Sequence, residues 1–428
     1  MDTNVLSDPA TSPAIRTVRP GPTPCRLCGS PDLRSFLDLG ATPPCELFLT
    51  PAATETPELT YPLHVRLCAG CLLVQLPSAI EPEQKFTEYA YFSSFSTSWT
   101  AHARRFVNDA MHRLDLGIDS FVVEVASNDG YLLREFVRRW VRCLGIEPAN
   151  NVGEAARSNG VPTLTAFLTP ETGAGVRMIH GPADLVVANN VLTHVPDIIG
   201  FAKGLRALVA DDGWVSVEVP HLLTLVQRNQ FDTIHHEHLQ YYTLLSGQRS
   251  LEAGGLSLVD VERLDTHGGS IRMWARPSEV AGAPSAPVRE LLALEEAAGL
   301  HAVAGHSGFG SAVSRVRDDL VTFLIEARRA GRTVVGYGAP GKGSTLLNYC
   351  GIRPDLLPYT VDRNPYKQGR FMPGTRIPVL APERITEHRP DYVLVLPWNL
   401  RHELVEQLDY VRAWGGRLVF PIPELSVV

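Results

Sequence analysis

The chain lacks an excess of positive charge. Its 428 residues carry 39 Lys and Arg against 46 Asp and Glu, for a formal net charge of -7 at pH 7. Nucleic-acid-binding proteins usually display a basic patch or stripe, and anionic membrane surfaces attract cationic segments. The charge balance therefore argues against nucleic acid and against a membrane surface as partners.

Long apolar runs are absent as well. A membrane-spanning helix needs about 20 consecutive apolar residues, and no run in the sequence approaches that length. The N-terminus has no basic segment that leads into an apolar core, which is the pattern of a secretory signal. Residues 1–21 are rich in Ser, Thr, Pro and Asp, and we expect them to form a mobile tail. We therefore expect a cytoplasmic protein.

Cysteine is scarce, and its seven residues form an odd count that does not suit a disulfide framework. Four of them form two matched Cys-x-x-Cys pairs, Cys25 with Cys28 and Cys68 with Cys71. Each pair offers two thiolates to one tetrahedral ion, so the two pairs predict a closed, structural zinc site. Redox-active pairs are the alternative. A nucleic-acid-binding zinc ribbon is disfavoured, because the segment lacks a cluster of Lys and Arg.

The middle of the chain shows the alternation of strand and helix that is typical of a nucleotide-binding sheet. Phe121–Val125 predicts a buried strand, residues 126–130 (ASNDG) a polar turn, and the sequence YLLREFVRRW a helix. An acid, Glu147, ends the next strand, where it is placed to accept hydrogen bonds from both hydroxyls of a ribose. Further strands are predicted at Arg142–Ile146, Ala183–Asn190 and Trp214–Val219.

The turn after the first of these strands lacks the Gly-x-Gly-x-x-Gly pattern that brings bare backbone amides to a pyrophosphate. Its polar and acidic side chains better suit the charged amino-acid end of S-adenosylmethionine. The segment therefore predicts a methyltransferase, with a plain Rossmann-like domain for another nucleotide as the alternative. The predicted cofactor-binding residues are Glu124, Ser127, Asn128, Asp129, Gly130, Glu147 and Asn189.

The most informative segment is Phe231–His238 (FDTIHHEH), which holds three histidines and one glutamate in eight residues. It follows a predicted strand, and ligands of doubly wound sheets bind beyond the carboxyl ends of the strands. Imidazole changes its protonation near neutral pH, so the segment predicts proton transfer or metal ligation. A solvated polar loop is the alternative interpretation.

A second glycine-rich turn, Gly338–Thr345, follows a predicted strand at Thr333–Tyr337 and opens a predicted helix. With one lysine, Lys342, such a turn can cradle phosphate, although its spacing is not that of a Walker A sequence. Further strands are predicted at Tyr359–Val361, Tyr392–Pro397 and Arg417–Phe420. These features predict a second Rossmann-like sheet, for which an NAD site is the competing interpretation.

The predicted fold class is α/β, with a small N-terminal zinc-binding domain followed by two Rossmann-like, doubly wound domains. A chain of 428 residues is too long for one ordinary core, which agrees with several domains. A stretch rich in Pro and Ala, at 275–288, predicts a linker. The expected units are a tail at 1–21, the zinc-binding domain at 22–77, the methyltransferase domain at 78–280 and the C-terminal domain at 281–428.

Taken together, the motifs resemble those of bacterial sugar C-methyltransferases that act on dTDP-4-keto-deoxysugars in antibiotic biosynthesis. The resemblance extends from Cys25 to the C-terminus, through the Cys-x-x-Cys pairs, EVASNDG, NNVLTHV, HHEH, HGGSIR and GYGAPGKGSTLLNY in that order. The sequence departs from the family pattern at two positions. Ala126 stands where glycine is common, and His235 stands where tyrosine is usual, within the expected active site.

The resemblance implies transfer of a methyl group from S-adenosylmethionine to a carbon next to the sugar ketone, with C-3 favoured and C-5 as the other position. A base must first remove the proton of that carbon to form an enolate. His238 matches the family position of the base, and Glu237 matches a residue that binds the sugar or orients the imidazole. The other implied residues are His235, His194 and Tyr89 at the reaction centre, and Arg272, Gly338, Lys342 and Thr345 at the sugar nucleotide.

Two other classes of function stay open on the sequence. An NAD-dependent sugar-nucleotide oxidoreductase would need a hydride-transfer site, which the sequence does not reveal. A non-catalytic zinc-ribbon binding protein would carry a degenerate methyltransferase fold. For the methyltransferase we expect a monomer, with S-adenosylmethionine and a structural zinc ion as cofactors.

Overall fold

The computed structural model describes residues 23–77 and 92–428, and it contains three β-sheets of four, seven and six strands. The predicted tail at 1–21 and the predicted active-site residue Tyr89 lie outside the described residues. Within the described ranges, no helix combines the length and the apolar character needed to cross a membrane.

The first sheet has four antiparallel strands in the order β1-β2-β3-β9. They are β1 (Leu33–Thr42), β2 (Tyr61–Cys68), β3 (Val74–Gln75) and β9 (Gln240–Tyr241). Alternate side chains of β2 are buried, because one face of the strand lies on a core. Strand β9 follows the histidines directly, and Tyr241 pairs with Val74. The zinc-binding part of the chain is therefore joined by one sheet to the segment that carries the histidines.

The second sheet runs in the order β10-β11-β8-β7-β4-β5-β6, with β4 to β8 parallel and β10 and β11 antiparallel. Its strands are β4 (Phe121–Val125), β5 (Arg142–Ile146), β6 (Thr163–Leu164), β7 (Ala183–Asn189), β8 (Val209–Pro220), β10 (Leu256–Leu264) and β11 (Ser270–Pro277). The helices of this part are α1 (Thr97–Leu114), α2 (Leu133–Val137), α3 (Asn150–Ser158), α4 (Pro170–His180), α5 (Ile198–Leu208), α6 (Leu222–Gln227) and α7 (Leu244–Glu252). The predicted strands are confirmed. The helix predicted after β4 is also present as α2, but it is shorter than the apolar pattern of the sequence predicts.

The third sheet runs in the order β14-β13-β12-β15-β16-β17, parallel except for β17. Its strands are β12 (Val334–Tyr337), β13 (Thr360–Val361), β14 (Val379–Leu380), β15 (Tyr392–Val395), β16 (Arg417–Phe420) and β17 (Ser426–Val427). The helices are α8 (Ala286–Ala297), α9 (Phe309–Arg329), α10 (Gly341–Tyr349), α11 (Glu383–His388) and α12 (Arg401–Gln407). The second Rossmann-like sheet predicted from the sequence is therefore present.

The predicted linker at 275–288 is shorter in the structure, because β11 runs to Pro277 and α8 begins at Ala286. Helix α8 packs against the second sheet, and its Val288 and Leu291 belong to the core of that sheet. Its buried Glu295 accepts a hydrogen bond from the backbone N–H of Leu244, at the start of α7. A carboxylate at a helix N-terminus is favoured by the helix dipole. The first helix of the predicted C-terminal domain thus packs with the methyltransferase sheet.

One apolar core joins the zinc-binding part to the third sheet. Phe36 of β1 stacks on Phe309 of α9, with ring centroids 5.5 Å apart. Phe231 and Ile234 of the histidine-containing segment belong to the same core and are fully buried. The core therefore holds that segment in place between the sheets.

Candidate active site

A cleft of about 2480 Å³ opens where the three parts of the chain meet. The second sheet contributes the loops that follow β4, β5 and β7, and the third contributes the loops that follow β12, β13 and β15. Both sheets reverse their strand order at these strands, which is where doubly wound sheets bind ligands. The loop after β1 and the segment Phe231–His238, called the histidine segment below, complete the walls.

The four paired cysteines lie together, as their spacing predicts. The Sγ atoms of Cys25 and Cys71 are 3.4 Å apart, those of Cys28 and Cys68 are 3.5 Å apart, and all four lie within 4.8 Å of one another. Zinc–sulfur bonds of about 2.3 Å in a tetrahedron place sulfur atoms about 3.8 Å apart, so the cluster fits zinc. The Cys25 and Cys71 thiols share a hydrogen bond, through which Cys71 lowers the pKa of Cys25.

The position of the cysteine cluster, away from the cleft, indicates a structural role. None of the four cysteines lines the cleft, and Cys25, Cys68 and Cys71 are buried. Four sulfur ligands leave no open position for a substrate or an activated water. The zinc ion would therefore hold the two Cys-x-x-Cys turns together beside the first sheet.

Three of the predicted cofactor residues line the cleft: Asn128, Glu147 and Asn189. The Glu147 carboxylate accepts hydrogen bonds from the backbone N–H groups of Asn128 and Ala149, both at 2.9 Å. Burial raises the pKa of Glu147 above its usual value. The Asn189 Oδ1 atom is buried and has no hydrogen-bond partner within the described residues. The Glu147 carboxylate after β5 and the unpaired Asn189 amide oxygen at the end of β7 offer acceptors for ribose hydroxyls and an ammonium group, so S-adenosylmethionine fits this end of the cleft.

The other four predicted cofactor residues do not line the cleft, and their contact with the cofactor stays a prediction. Glu124 is only 1% exposed, and burial raises the pKa of its carboxyl well above the usual range. Ser127 lies against Gly145 of β5, and Asp129 accepts a hydrogen bond from the backbone N–H of Ser94. Gly130 has φ +77°, and an added Cβ would lie 2.8 Å from a Val161 methyl group. These residues shape the turn behind the cleft wall.

The histidine segment brings two imidazoles together, and the loop after β7 adds a third. The ring centroids of His235 and His238 are 3.9 Å apart, and those of His194 and His238 are 4.9 Å apart. The backbone carbonyl of Thr233 lies 3.1 Å from His238 Nδ1. A carbonyl can only accept, so Nδ1 carries the proton and Nε2 of the neutral ring keeps its lone pair. Burial, followed by the charges of His235 and His194, lowers the pKa of His238 well below its usual range.

Neighbouring elements hold this segment in register. Leu239 donates its backbone N–H to the Thr193 carbonyl at 2.7 Å, which ties the segment to the loop that carries His194. His236 Nε2 lies 3.1 Å from the Tyr61 carbonyl of β2, so this imidazole is bonded to the first sheet. This contact directs the Nε2 atom of His236 toward the first sheet.

Glu237 lines the cleft opposite the loop that follows β1. Cys45 of that loop lies near enough to feel the charge of Glu237. Burial, with smaller contributions from the charges of Glu237 and Glu46, raises the pKa of the Cys45 thiol well above its usual range. Cys45 is therefore a neutral thiol beside the cleft. Glu237 is placed to contact a ligand that enters between the first sheet and the histidine segment.

Arg272 is not among the residues that line the cleft, and its predicted contact with the substrate stays a prediction. In β11 it is directly opposite Glu218 of β8 on one side and Glu262 of β10 on the other. Its guanidinium donates to both carboxylates, at 2.9 and 3.0 Å, and the residue is 2% exposed. Thr266 also donates to Glu218, at 2.9 Å, so this ion pair supports the turn that follows β10.

Of the residues predicted to bind the sugar nucleotide, Gly338 and Lys342 line the cleft and Thr345 does not. Gly338 has φ +83°, and an added Cβ would lie 2.6 Å from Pro397 Cδ, so the turn requires glycine here. The Thr345 hydroxyl donates to the Ile234 carbonyl at 3.0 Å. This residue therefore anchors the histidine segment on α10, and its predicted contact with the sugar nucleotide stays a prediction.

Several cleft residues were missed from the sequence. Trp99 of α1 packs against His267, with ring centroids 4.8 Å apart and the rings tilted by 50°, and His267 has the unusual φ of +53°. Lys367, after β13, donates to the Ala339 carbonyl at 2.9 Å and pairs with Glu46 at 3.2 Å. The motif HGGSIR was a signal for His267, whereas nothing in the sequence pattern indicated Trp99 or Lys367.

Three family models match consecutive parts of the chain. They are described as "Putative zinc binding domain" at residues 25–86, "Methyltransferase domain" at residues 99–261, and "C-methyltransferase C-terminal domain" at residues 265–423. The C-methyltransferase NovU of Streptomyces niveus is 37% identical over 404 residues, which cover 94% of this chain and 96% of that protein.

Solved structures resemble part of the chain more distantly. The magnesium protoporphyrin IX methyltransferase of Synechocystis PCC 6803 is 15% identical, with 42% of this chain and 80% of that chain covered and a TM-score of 0.31. An S-adenosylmethionine-dependent methyltransferase of Clostridium acetobutylicum is 11% identical, with 40% and 89% covered and a TM-score of 0.33. At these scores neither resemblance bears on the chemistry of this protein.

The full-length match decides between the classes left open by the sequence. Neither an NAD-dependent oxidoreductase nor a non-catalytic zinc-ribbon protein accounts for a methyltransferase model and a C-methyltransferase model on consecutive segments. The chain therefore belongs to the zinc-binding, S-adenosylmethionine-dependent C-methyltransferase family that includes NovU.

Proposed function

We propose that the protein methylates a carbon next to the ketone of a dTDP-4-keto-deoxysugar, with C-3 as the favoured position. The observation that carries this proposal is the state of His238. Its Nδ1–H is bonded to the Thr233 carbonyl, and its partly buried ring has a lowered pKa and is neutral, so Nε2 is available as a base. A methyltransferase that acts on oxygen or nitrogen has less need of such a base than one that must first create a carbon nucleophile.

The base acts on the substrate before any methyl group moves. His238 Nε2 takes the proton from the α-carbon, the C–H electron pair forms a carbon–carbon double bond, and the ketone oxygen receives the negative charge. The enolate carbon is then the nucleophile. S-adenosylmethionine, when bound, supplies the sulfonium methyl group and leaves as S-adenosylhomocysteine. Asn128, Glu147 and Asn189 would hold this cofactor at the carboxyl edge of the second sheet.

The nucleotide end of the substrate would lie along the third sheet. Lys367 and Arg370 line the cleft after β13, and both can pair with a diphosphate. Gly338 brings the backbone of the turn after β12 to the same wall. Since the histidine segment lies between the two sheets, a ligand bound along the third sheet would direct its sugar toward His238.

The test is exchange of the sugar α-proton with solvent. A dTDP-4-keto-6-deoxyhexose is incubated in D₂O with the zinc-loaded protein, without S-adenosylmethionine, and exchange is followed by NMR. His238→Asn should slow exchange by roughly 10²–10⁴-fold, the usual contribution of a general base. The asparagine amide can still donate to the Thr233 carbonyl, so the segment keeps this anchor.

His112→Asn is the matched control, because His112 is an exposed residue of α1 outside the cleft. It should exchange at the parental rate. Parental exchange in the His238→Asn protein would place the base elsewhere. The lowered pKa of His238 also predicts that exchange stays constant when the pH is reduced from 8 to 7, because the ring keeps its free Nε2 over that range.

A further inference from the structure

Lys342 contacts side chains that lie outside its own glycine-rich turn. It is in the first turn of α10, and the side chain lines the cleft. Its Nζ atom donates to Asn399 Oδ1 at 3.0 Å and lies 4.8 Å from the ring centroid of Trp398. An ammonium group has three N–H donors. Within residues 23–77 and 92–428, Asn399 is its hydrogen-bond acceptor, which leaves two donors for a ligand.

The surroundings of Lys342 belong to the histidine segment. The indole N–H of Trp398 donates to Asp232 Oδ2 at 2.6 Å, and Asp232 is fully buried three residues before His235. Burial lowers the pKa of Lys342, and the charge of Asp232 opposes this effect. Burial raises the pKa of Asp232 to about 6, so it is ionised at neutral pH. The Asp232 carboxylate therefore attracts the Lys342 ammonium group from the side of the histidine segment.

The opposite wall next to Lys342 is the turn that carries His267. An added Cβ at Gly268 would lie 3.0 Å from Trp398 Cη2, so this turn packs directly on the Trp398 ring. Burial, together with the charge of Lys342, lowers the pKa of His267 to about 4. His267 and His238 are thus neutral at pH 7, Lys342 supplies a positive charge beside His267, and the charge of His267 in turn acts on His238.

The proposed reaction requires such a charge. Removal of the α-proton leaves the negative charge on the ketone oxygen, and in a buried site this charge must be met by a preorganised donor. We propose that the Lys342 ammonium donates to the ketone oxygen of the substrate and stabilises the enolate, while the proton passes to His238 Nε2. This inference rests on the proposed function. It replaces the diphosphate contact that the glycine-rich turn predicts for Lys342.

The two roles differ in what they do to free dTDP, which has the diphosphate but no ketone. Lys342→Met keeps an unbranched side chain on the Trp398 ring and removes the ammonium group. We expect its affinity for dTDP, measured by calorimetry, to stay within about twofold of the parent. Its α-proton exchange at saturating dTDP-4-keto-6-deoxyhexose, without the methyl donor, should fall by roughly 10²–10³-fold, as for the loss of one oxyanion donor.

Lys367→Met is the matched control, since Lys367 is a second cleft lysine whose contacts lie on the nucleotide side. Its effects should be the reverse of those of Lys342→Met. It should bind dTDP more weakly, and its α-proton exchange should be near-parental at saturating substrate. A Lys342→Met protein that loses dTDP affinity tenfold or more, yet exchanges normally at saturation, would overturn the assignment.

Lys342→Arg keeps the charge and provides a second reading if the methionine variant is poorly folded. It should bind dTDP as the parent does. On a logarithmic scale, its α-proton exchange rate should lie closer to that of the parent than to that of Lys342→Met. Equal exchange rates in the parent, Lys342→Met and Lys342→Arg would also contradict the assignment. If the parental protein exchanges no α-proton with any dTDP-4-keto sugar, the proposed function itself fails, which is a different result from normal exchange in Lys342→Met.

Discussion

Replacing Arg272 by methionine should destabilise the protein without changing the affinity of the folded protein for its ligands. Arg272 lies between Glu218 and Glu262 on adjacent strands and 4.5 Å from the ring centroid of Phe106. Methionine keeps much of the side-chain length against this ring but leaves Glu218 without its guanidinium partner. Since Glu218 is 0% exposed, water cannot replace that partner.

The size of the effect follows from the ionisation of Glu218. Burial alone would raise its pKa, but the hydrogen bond from His102 and the charge of Arg272 lower it from the usual 4.5 to about 2. A pKa difference of one corresponds to about 1.36 kcal/mol. The interactions that keep Glu218 ionised therefore contribute about 3 kcal/mol to the free energy of unfolding. The folded-state pKa is lowered, so this stability is full above about pH 4.5 and is lost as the pH falls toward 2. Removing one partner of a buried pair costs about 3–5 kcal/mol at pH 7.

Urea unfolding of the zinc-loaded protein at pH 7 measures this loss as a lower midpoint. The double variant Arg272→Met with Glu218→Gln should unfold at a higher urea concentration than Arg272→Met alone, because no buried charge is left unpaired. The difference between single variant and parent should shrink at low pH, where protonation of Glu218 relieves the single variant. An Arg272→Met protein with the parental midpoint but tenfold weaker dTDP binding would refute this reasoning and restore the substrate role.

Two further predictions concern the metal and the anchor of the histidine segment. Metal analysis should find about one zinc per chain, and Cys68→Ser should lower the melting temperature more than the turnover of the protein that remains folded; a stable, metal-free protein would contradict the zinc site. Thr345→Val should cost about 1–3 kcal/mol of stability, since the buried Ile234 carbonyl loses its donor. It should also slow α-proton exchange while dTDP affinity is unchanged, whereas a loss of dTDP affinity would return Thr345 to the nucleotide site.

The sequence predicted those features that depend on local pattern. The apolar run at Phe121–Val125 and the spacing of the Cys-x-x-Cys pairs are properties of short segments, and the structure confirms the strand and the cysteine cluster. The position of the histidine segment at the cleft was also predictable, because it follows a strand of a doubly wound sheet. The roles of His238, Glu237 and Tyr89 stay predictions.

The contacts that the sequence did not predict belong to side chains whose partners come from distant parts of the chain. Arg272 is buried because three strands place it opposite two glutamates, and no local pattern encodes that register. Lys342 and Thr345 belong to a turn that is typical of phosphate binding, yet α10 packs on the histidine segment, so both are directed toward Asp232 and Ile234. Likewise β9 is too short to be recognised, although it joins the first sheet to the histidines.

The central claim is that the methyl group is transferred to carbon next to a ketone. Its most direct test uses S-adenosylmethionine labelled with ¹³C in the methyl group and a dTDP-4-keto-6-deoxyhexose that is uniformly labelled in the sugar. NMR of the product should show one-bond coupling between the new methyl carbon and a ring carbon adjacent to C-4, with C-3 expected. A methyl group bonded to oxygen, or no transfer while both ligands bind, would contradict the account.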